Sequence, residues 1–368
     1  MAVSGVPIGR RNLFSERRRA VLGIAGVAIA LLMVLAIDGI FAGAMRQVSR
    51  YIDASGADLF VSQRGVRTMH MSSSSIPSAA VEGIRRIPGV RWADPILYDS
   101  GALIASEERE LTYLIGYVPG GRGGPGSLAA GVEPGPGEIV LDEQAAAILG
   151  VGVGGRVEIL DRSWRVSGLT TGMTNIVNSV SFVPFDDFSA ARGLDGVASY
   201  VLVGSDAPAD QVVARIEATT ALTAQSRARF SAEERQGVKD MSTELMQIMT
   251  FAAFLIGLSV IGLTLYAATL SRLREIGVMK ALGATPGRLG RIVLIQAGWT
   301  VGTALVLAGL VAAGLGWVLG RTQATFPLDV EAPSVARAAA GAMLLGAIGA
   351  IAPLIKVSRV DPATVFRR

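Results

Sequence analysis

The 368-residue chain contains no cysteine and a single histidine, His70. Without cysteine the protein forms no disulfide, and zinc or redox sites built on thiolate ligands are excluded. Charged residues are scarce as well, at 17%, whereas a soluble domain carries about 25%. The sequence also lacks the G-x-S-x-G motif of serine hydrolases and the H-E-x-x-H motif of zinc peptidases. We therefore expect no catalytic residue and no metal in this chain.

Nucleotide-binding motifs are absent too. A Walker A loop places a glycine directly before its lysine, whereas Lys239, Lys280 and Lys356 follow valine, methionine and isoleucine. Residues 121–126 match G-x-G-x-x-G, but residues 131–137 are too rich in glycine and proline to form the helix that a dinucleotide site requires. A flexible loop explains the glycines better. The chain is expected to bind no cofactor and to hydrolyse no ATP by itself.

The missing charge is concentrated in four long uncharged segments, residues 20–37, 245–271, 292–320 and 338–355. Crossing roughly 30 Å of hydrocarbon takes about 18 or more apolar residues, and each segment is long enough. The chain therefore has four transmembrane helices, for which the sequence predicts the bounds 20–44, 245–271, 292–320 and 338–355. The alternative for the first segment is a cleaved signal peptide, but its apolar stretch is longer than the 7–15 residues of a signal core.

Arginine and lysine set the orientation of these helices. They are concentrated in the segment 1–19, the loop 272–291 and the tail 356–368, whereas the loop 321–337 is nearly balanced. The positive-inside rule then places both termini and the 272–291 loop in the cytoplasm, and residues 45–244 and the 321–337 loop outside. Basic residues beside the membrane also explain the pI of 9.7. We therefore expect the chain to contact the lipid bilayer, and we expect no nucleic acid as a partner. The 31 arginines against three lysines are typical of a GC-rich bacterial genome.

The large outer segment, residues 45–244, is predicted to be an α+β domain. Runs with strand character alternate with short helical stretches such as residues 78–87 and 209–219. The second half of this segment shows the same alternation of strand-like and helical stretches as the first half. This pattern predicts two lobes, joined by the glycine-rich stretch 119–137. His70, between Met69 and Met71, suggests a copper site, but a mobile surface loop beside four serines is the preferred interpretation.

The second transmembrane helix is predicted to begin well outside the bilayer. Ser231 and Glu234 match a capping box, with serine at the N-cap and glutamate at the third helical position. An unbroken helix over 232–270 would then include a stalk at 232–244, weakened by Gly237. The alternative is a separate juxtamembrane helix. Asp38 is expected at the outer membrane boundary, about 28 Å along the first helix from Arg19.

Small residues recur along the third and fourth segments. Gly316 and Gly320 form G-x-x-x-G, and a further stripe has a small residue at every fourth position: Ala338, Ala342, Gly346 and Ala350. Such stripes let helix backbones approach closely. The alternative is that they only reflect an alanine-rich composition.

Residues 271–298, SRLREIGVMKALGATPGRLGRIVLIQAG, closely resemble the cytoplasmic signature of the MacB/FtsX-like permeases of ABC transporters. RRNLFSERRRAVLGIAG near the N-terminus, EIVLDEQAAAILGVGVGGRVEILDRSWRVSGL at 138–169 and KVSRVDPATVFRR at the end resemble other parts of the same family. Within it, residues 52–66 are most similar to the DevC-type permeases of glycolipid exporters. Locally, Thr285 and Pro286 predict the start of a helix and Gly283 a helix stop.

The resemblance implies the fold of a type VII ABC permease: four transmembrane α-helices with a large α+β extracytoplasmic domain between the first and second. It also implies a permease that works in the bacterial inner membrane as a dimer with a second copy or a paralogue. ATP and Mg²⁺ would be bound by separate ABC ATPase subunits, whose closure moves a coupling helix. The residues that the resemblance assigns to ATPase coupling are Glu275, Ile276, Gly277, Met279, Lys280, Ala281, Leu282 and Gly283.

The function implied is mechanotransmission that exports or extracts amphiphilic substrates at the outer face, such as a lipid, glycolipid, peptide or drug. A membrane-fusion adaptor or another extracytoplasmic partner would fit this role. Two alternatives remain open: an FtsX-like regulator of an extracytoplasmic cell-wall hydrolase, and a membrane receptor that uses no ATPase.

Overall fold

The computed structural model describes residues 17–174, 178–271, 273–321, 328 and 332–358. Residues 1–16 of the predicted N-terminal segment, Arg272 of the coupling loop, most of the predicted outer loop and the tail from 359 lie outside these ranges. The helices are α1 Arg17–Val48, α2 Arg50–Ala54, α3 Ala79–Arg85, α4 Glu143–Ile148, α5 Phe185–Arg192, α6 Ala209–Thr219, α7 Arg227–Leu270, α8 Leu273–Ala281, α9 Pro286–Arg321, α10 Ala332–Gly349 and α11 Ile351–Ser358.

The strands are β1 Leu59–Gln63, β2 Ile76–Pro77, β3 Val90–Ala105, β4 Glu108–Tyr117, β5 Ala130–Gly131, β6 Glu138–Asp142, β7 Arg156–Ile159, β8 Arg162–Thr170, β9 Ser179–Pro184, β10 Val197–Ala198, β11 Tyr200–Ser205 and β12 Leu222–Ser226. By contacts, the chain divides into two compact units. One contains the long apolar helices, and the other, over Gly43–Ser242, is an α+β domain.

Four stretches of the described chain are long and apolar enough to cross a membrane: Val21–Val48, Gln247–Leu270, Gly287–Leu319 and Ala332–Lys356. Four transmembrane helices, with the α+β domain between the first and second, are confirmed. The fourth begins at Ala332, so residues 332–337 of the predicted outer loop are helical. Pro333 suits the first turn of a helix. The sequence prediction began at residue 338 because the charged Arg337 interrupts the apolar pattern.

The fourth stretch contains a break. α10 ends at Gly349, and α11 begins at Ile351. Pro353 explains the break, because proline has no N–H for the helical ladder and its ring collides with the carbonyl four residues earlier, here that of Gly349.

The stripe of small residues packs inside the helical unit. Ala338, Ala342 and Ala350 are buried in its apolar core. A Cβ on Gly346 would lie 3.2 Å from a Val301 methyl, and one on Gly349 would lie 3.3 Å from the backbone nitrogen of Gly262. The stripe therefore serves close helix packing, as the spacing predicted.

Asp38 of α1 is paired with Arg337 of α10, with 2.8 Å between Oδ2 and Nη2. Arg337 also donates to the Ser334 hydroxyl at 3.1 Å. The pair joins the C-terminal half of α1 to the first turns of α10. Because both side chains are partly exposed, the pair adds at most about 1 kcal/mol.

Ten strands of the described chain form one mixed sheet. Nine follow the order β12-β1-β11-β3-β4-β9-β6-β8-β5, and β7 pairs with β3 and β8. The 16-residue strand β3 joins the two ends of the sheet. It pairs with β11 over its first residues and with β4 from Ile96 to Ala105.

The predicted division into two lobes, joined at 119–137, is wrong. β9 comes from the second half of the domain but pairs in parallel with β4 from the first half, and β11 lies between β1 and β3. The strands of the two halves therefore interleave. Alternation of apolar residues shows which face of a strand is buried, but it carries no information about the neighbouring strand.

Helix α7 is continuous from Arg227 to Leu270, so the unbroken helix is confirmed and the separate juxtamembrane helix is excluded. The predicted start at Ser231 is wrong. The helix begins at Arg227, five residues before the predicted first residue 232, and the Ser226 hydroxyl accepts a hydrogen bond from the Arg229 N–H at 3.3 Å, an N-cap interaction. Ser231 instead donates to Asp53 Oδ1 at 2.6 Å. The capping-box residues are thus used in tertiary contacts.

Candidate functional site

The predicted coupling segment forms the short helix α8, Leu273–Ala281. Gly283 has a φ of +89°, a left-handed conformation that glycine adopts without strain. The Gly283 N–H donates to the Lys280 carbonyl and the Ala284 N–H to the Met279 carbonyl, both at 3.0 Å. These two bonds make a Schellman motif, which satisfies carbonyls at the end of the helix. The predicted helix stop at Gly283 is confirmed.

The next helix, α9, begins at Pro286, as predicted. The Thr285 carbonyl accepts hydrogen bonds from the N–H groups of Arg288 and Leu289. Proline is suited to the first helical position, because its missing N–H would have no helical partner there. α8 is therefore fixed at its C-terminal end by a tight connection to a long apolar helix.

One side of α8 packs on the helical unit. Ile276 is 8% exposed and belongs to the apolar core of that unit. Gly277 is buried beside it, and Met279 packs against the same core from a half-buried position. Lys280 is half-buried. These residues hold α8 in place, so their contribution to any docking surface is limited.

The other side of α8 is exposed. Leu282, just after the helix, is 83% exposed, and Val278 is 38% exposed. Glu275, Ala281 and Gly283 are exposed as well. Residues 275, 278 and 282 are three and four positions apart and so share a helix face. Val278 was not among the predicted coupling residues, although this spacing was a signal for it.

The exposed side of α8 has the chemistry of a docking surface. It combines two apolar side chains, Val278 and Leu282, with one carboxylate, Glu275.

Within the described residues there is no group of three or more histidines, aspartates or glutamates that could hold a metal ion.

The glycine-rich segment 121–126 is followed by no helix in the described structure, as expected. It is not a loose loop, however. The Tyr51 hydroxyl donates to the Gly123 carbonyl at 3.1 Å, and a Cβ on Gly124 would overlap the ring of Tyr117. The glycines therefore allow this segment to lie directly on aromatic side chains of the core.

The description of His70 as part of a mobile surface loop is also wrong. Met69 is buried, and the His70 side chain is 10% exposed. His70 Nδ1 lies 2.7 Å from Oε1 of Glu234, which is fully buried. Glu234 lies 164 residues after His70, and its local sequence pattern is that of a helix cap. The pattern contained no signal for this contact.

Two family models match the chain. Residues 20–219 match the MacB-like periplasmic core domain, and residues 248–362 match the C-terminal part of FtsX-like permeases. Among curated proteins, an uncharacterised ABC transporter permease of Mycobacterium tuberculosis is 27% identical over 372 residues, covering 97% of each chain. Another from the same species is 22% identical over 359 residues, again covering 97% of each.

Among solved structures, the periplasmic region of MacB from Actinobacillus actinomycetemcomitans matches 51% of this chain and 95% of its own. Its sequence identity is 14% and its TM-score 0.36.

Proposed function

Because this chain belongs to the MacB/FtsX-like family of ABC transporter permeases, we propose that it works as the membrane subunit driven by separate ABC ATPase subunits. The single observation that best supports the proposal is the exposed side of α8, with Leu282 83% and Val278 38% exposed. Apolar side chains exposed side by side on one helix face are suited to burial by a partner protein.

The proposed input is a movement of α8 when the ATPase subunits bind ATP and Mg²⁺. Ile276 and Met279 pack on the core of the helical unit, so α8 transmits a displacement to the long helices. α7 then carries the displacement outward. Its 44 residues extend about 66 Å at 1.5 Å per residue, more than twice the roughly 30 Å of hydrocarbon. Mechanotransmission of this kind needs no channel for the substrate.

We propose the bacterial inner membrane as the location, with both termini in the cytoplasm and residues 45–244 outside. The proposed substrates are amphiphilic molecules, handled at the outer face with or without a membrane-fusion adaptor. A second permease subunit is supported by an open groove on α9, lined by Ile295, Trp299 and Val306 around Gly298 and Gly302. No atom lies within 4 Å of a Cβ built on either glycine, and glycines four apart let a second helix approach closely.

The test is co-purification of ABC ATPase subunits with the full chain from native membranes, quantified by mass spectrometry. Leu282→Asp should lower the recovered ATPase at least about thirtyfold, which is the effect of losing an interface anchor of about 2 kcal/mol. Val132→Asp, at a 65% exposed valine of the α+β domain, is the control and should leave recovery unchanged.

Recovery of a cell-wall hydrolase together with the ATPase would instead favour a regulator of the FtsX type. If no ATPase is recovered with the wild-type chain, or if Leu282→Asp retains it in full, the proposed coupling surface is wrong.

A further inference from the structure

Residues 68–73, here called the strap, are held on one side by the sheet. The Tyr200 hydroxyl of β11 lies 3.0 Å from the Thr68 carbonyl and 3.2 Å from the Ser72 carbonyl. One phenol thus closes the strap into a loop. Burial raises the pKa of Tyr200, so its hydroxyl keeps the proton that it donates.

On the other side the strap is held by α7. The Glu234 carboxylate accepts hydrogen bonds from the backbone N–H of Met69 and of His70, and Oε1 lies 2.7 Å from His70 Nδ1. The side chain of Glu234 is fully buried. One carboxylate on α7 therefore holds two successive residues of the strap.

A second contact lies one turn further along α7. A Cβ on Gly237 would come within 2.6 Å of Met71 Sδ, which is closer than two such atoms approach. Glycine at this position lets the Met71 side chain, which is 47% exposed, lie against the helix backbone. Gly237 was predicted to weaken the stalk, and α7 runs through it without a break.

The strap is held on α7 by a polar contact to Glu234, although an apolar contact would hold a loop with a smaller desolvation cost. Burying a carboxylate costs several kcal/mol unless hydrogen bonds compensate for the lost water. Hydrogen bonds are directional, however, so Glu234 fixes one register of the strap on α7. The His70 ring completes the contact by packing on Tyr113, with 4.2 Å between ring centroids.

The strap forms one wall of a polar cavity of about 280 Å³. Tyr98, Ser100 and Ser199 line the cavity away from the strap. A shift of the strap would therefore change access to these hydroxyl groups.

We propose that Glu234 couples the strap to α7, so that a displacement of α7 moves the strap and opens or closes this cavity. Glu234 is a positioning residue in this mechanism. The inference rests on the proposed function, because it takes the displacement of α7 as its input.

Backbone hydrogen exchange of the full chain in lipid nanodiscs tests the contact itself. Glu234→Ala should speed exchange of the Met69 and His70 amides about tenfold or more, because 1.4 kcal/mol corresponds to tenfold and charge-assisted hydrogen bonds are at least that strong. Glu234→Gln keeps the size of the side chain and should give a smaller increase. Glu233→Gln, whose carboxylate pairs with Arg229 at the surface, is the matched control and should give none.

The same measurement on the complex with its ATPase tests the coupling. In wild type and in Glu233→Gln, exchange of the strap amides should differ between the ADP state and a state with a non-hydrolysable ATP analogue. In Glu234→Ala this difference should disappear, and in Glu234→Gln it should shrink, while the amides of residues 236–241 on α7 still respond and ATP hydrolysis continues. A purely structural role for Glu234 would not abolish the nucleotide response selectively.

The proposal is overturned if the strap amides in Glu234→Ala still respond to nucleotide as fully as in wild type. It is also overturned if the wild-type strap is unresponsive while residues 236–241 respond. If neither segment responds in the wild-type complex, the proposed function itself fails, and the coupling fails with it.

Discussion

Asp142, at the end of β6, joins the start of α4 to residues 173 and 174 through one buried carboxylate. It accepts hydrogen bonds from the Gln144 N–H at 3.1 Å, which caps α4, and from the Met173 N–H at 2.7 Å. The Thr174 hydroxyl donates to it at 2.6 Å. Asp142 is fully buried, so its removal would break all three hydrogen bonds and leave the buried Thr174 hydroxyl without this acceptor.

Asp142→Ala should therefore destabilise the α+β domain by about 2–4 kcal/mol, the sum of a lost helix cap and of unsatisfied buried donors. Urea unfolding of the full chain, followed by tryptophan fluorescence, measures the change. Glu107→Ala, at the exposed turn between β3 and β4, serves as the control and should change the free energy of unfolding by less than about 0.5 kcal/mol. Equal midpoints for the two variants would contradict this account of Asp142.

Buried tyrosines make the α+β domain sensitive to alkali. Burial raises the pKa of Tyr98, and nearby Tyr113 and Glu234 add to the shift. Burial also raises the pKa of Tyr117 and Tyr200. An unfolded tyrosine titrates near pH 10. A pKa raised in the folded state gives stability that is fully present below pH 10 and is lost as the pH rises further.

We therefore expect the free energy of unfolding to fall steeply above about pH 10. Tyr98→Phe removes one of the titrating groups, so its stability should fall less steeply with pH than that of wild type. Urea unfolding at intervals from neutral to strongly alkaline pH gives both slopes. Parallel slopes would show that Tyr98 does not contribute to the alkaline transition.

At the scale of elements, the residues in and just after α8 fall into two sets, those that pack on the helical core and those that are exposed. Met279 packs against the helical core, whereas Leu282 is exposed. A charge at 279 would lie against that apolar core and lose part of its hydration, which costs free energy, whereas a charge at 282 stays in water. The two substitutions are therefore expected to fail in different ways.

Met279→Asp should lower both the membrane level and the thermal stability of the purified chain, whereas Leu282→Asp should leave both unchanged. Quantitative immunoblotting of membranes and thermal unfolding in detergent check the two variants together. A stable, fully expressed Met279→Asp chain would show that Met279 is free to serve the docking surface.

At the scale of the whole molecule, the absence of cysteine makes the topology directly testable, because one introduced thiol is the only thiol present. Ser127 in the α+β domain and Ser271 after α7 are both exposed. In intact cells, Ser127→Cys should react with a membrane-impermeant maleimide, and Ser271→Cys should react only after the cells are opened. Reaction of Ser271→Cys in intact cells would reverse the proposed orientation.

The sequence alone determined the number of apolar helices, their order around the α+β domain, the C-terminal end of α8 and the start of α9. These features are local: helix length follows from runs of apolar residues, and helix ends follow from residues such as Gly283 and Pro286. Within the domain, the predicted helix 209–219 lies where the structure has it.

Only the tertiary structure decided which strands are neighbours and which polar residues meet. β3 contains Pro95 opposite Val201 of β11, a residue that argues against a strand until its partner is known. Glu234 fitted a local cap, yet it contacts His70, 164 residues earlier. Gly237 suggested a weak helix, yet it accommodates Met71. Contacts between segments far apart in the chain depend on strand order and on tertiary packing, and no local pattern of residue types specifies which distant segments meet.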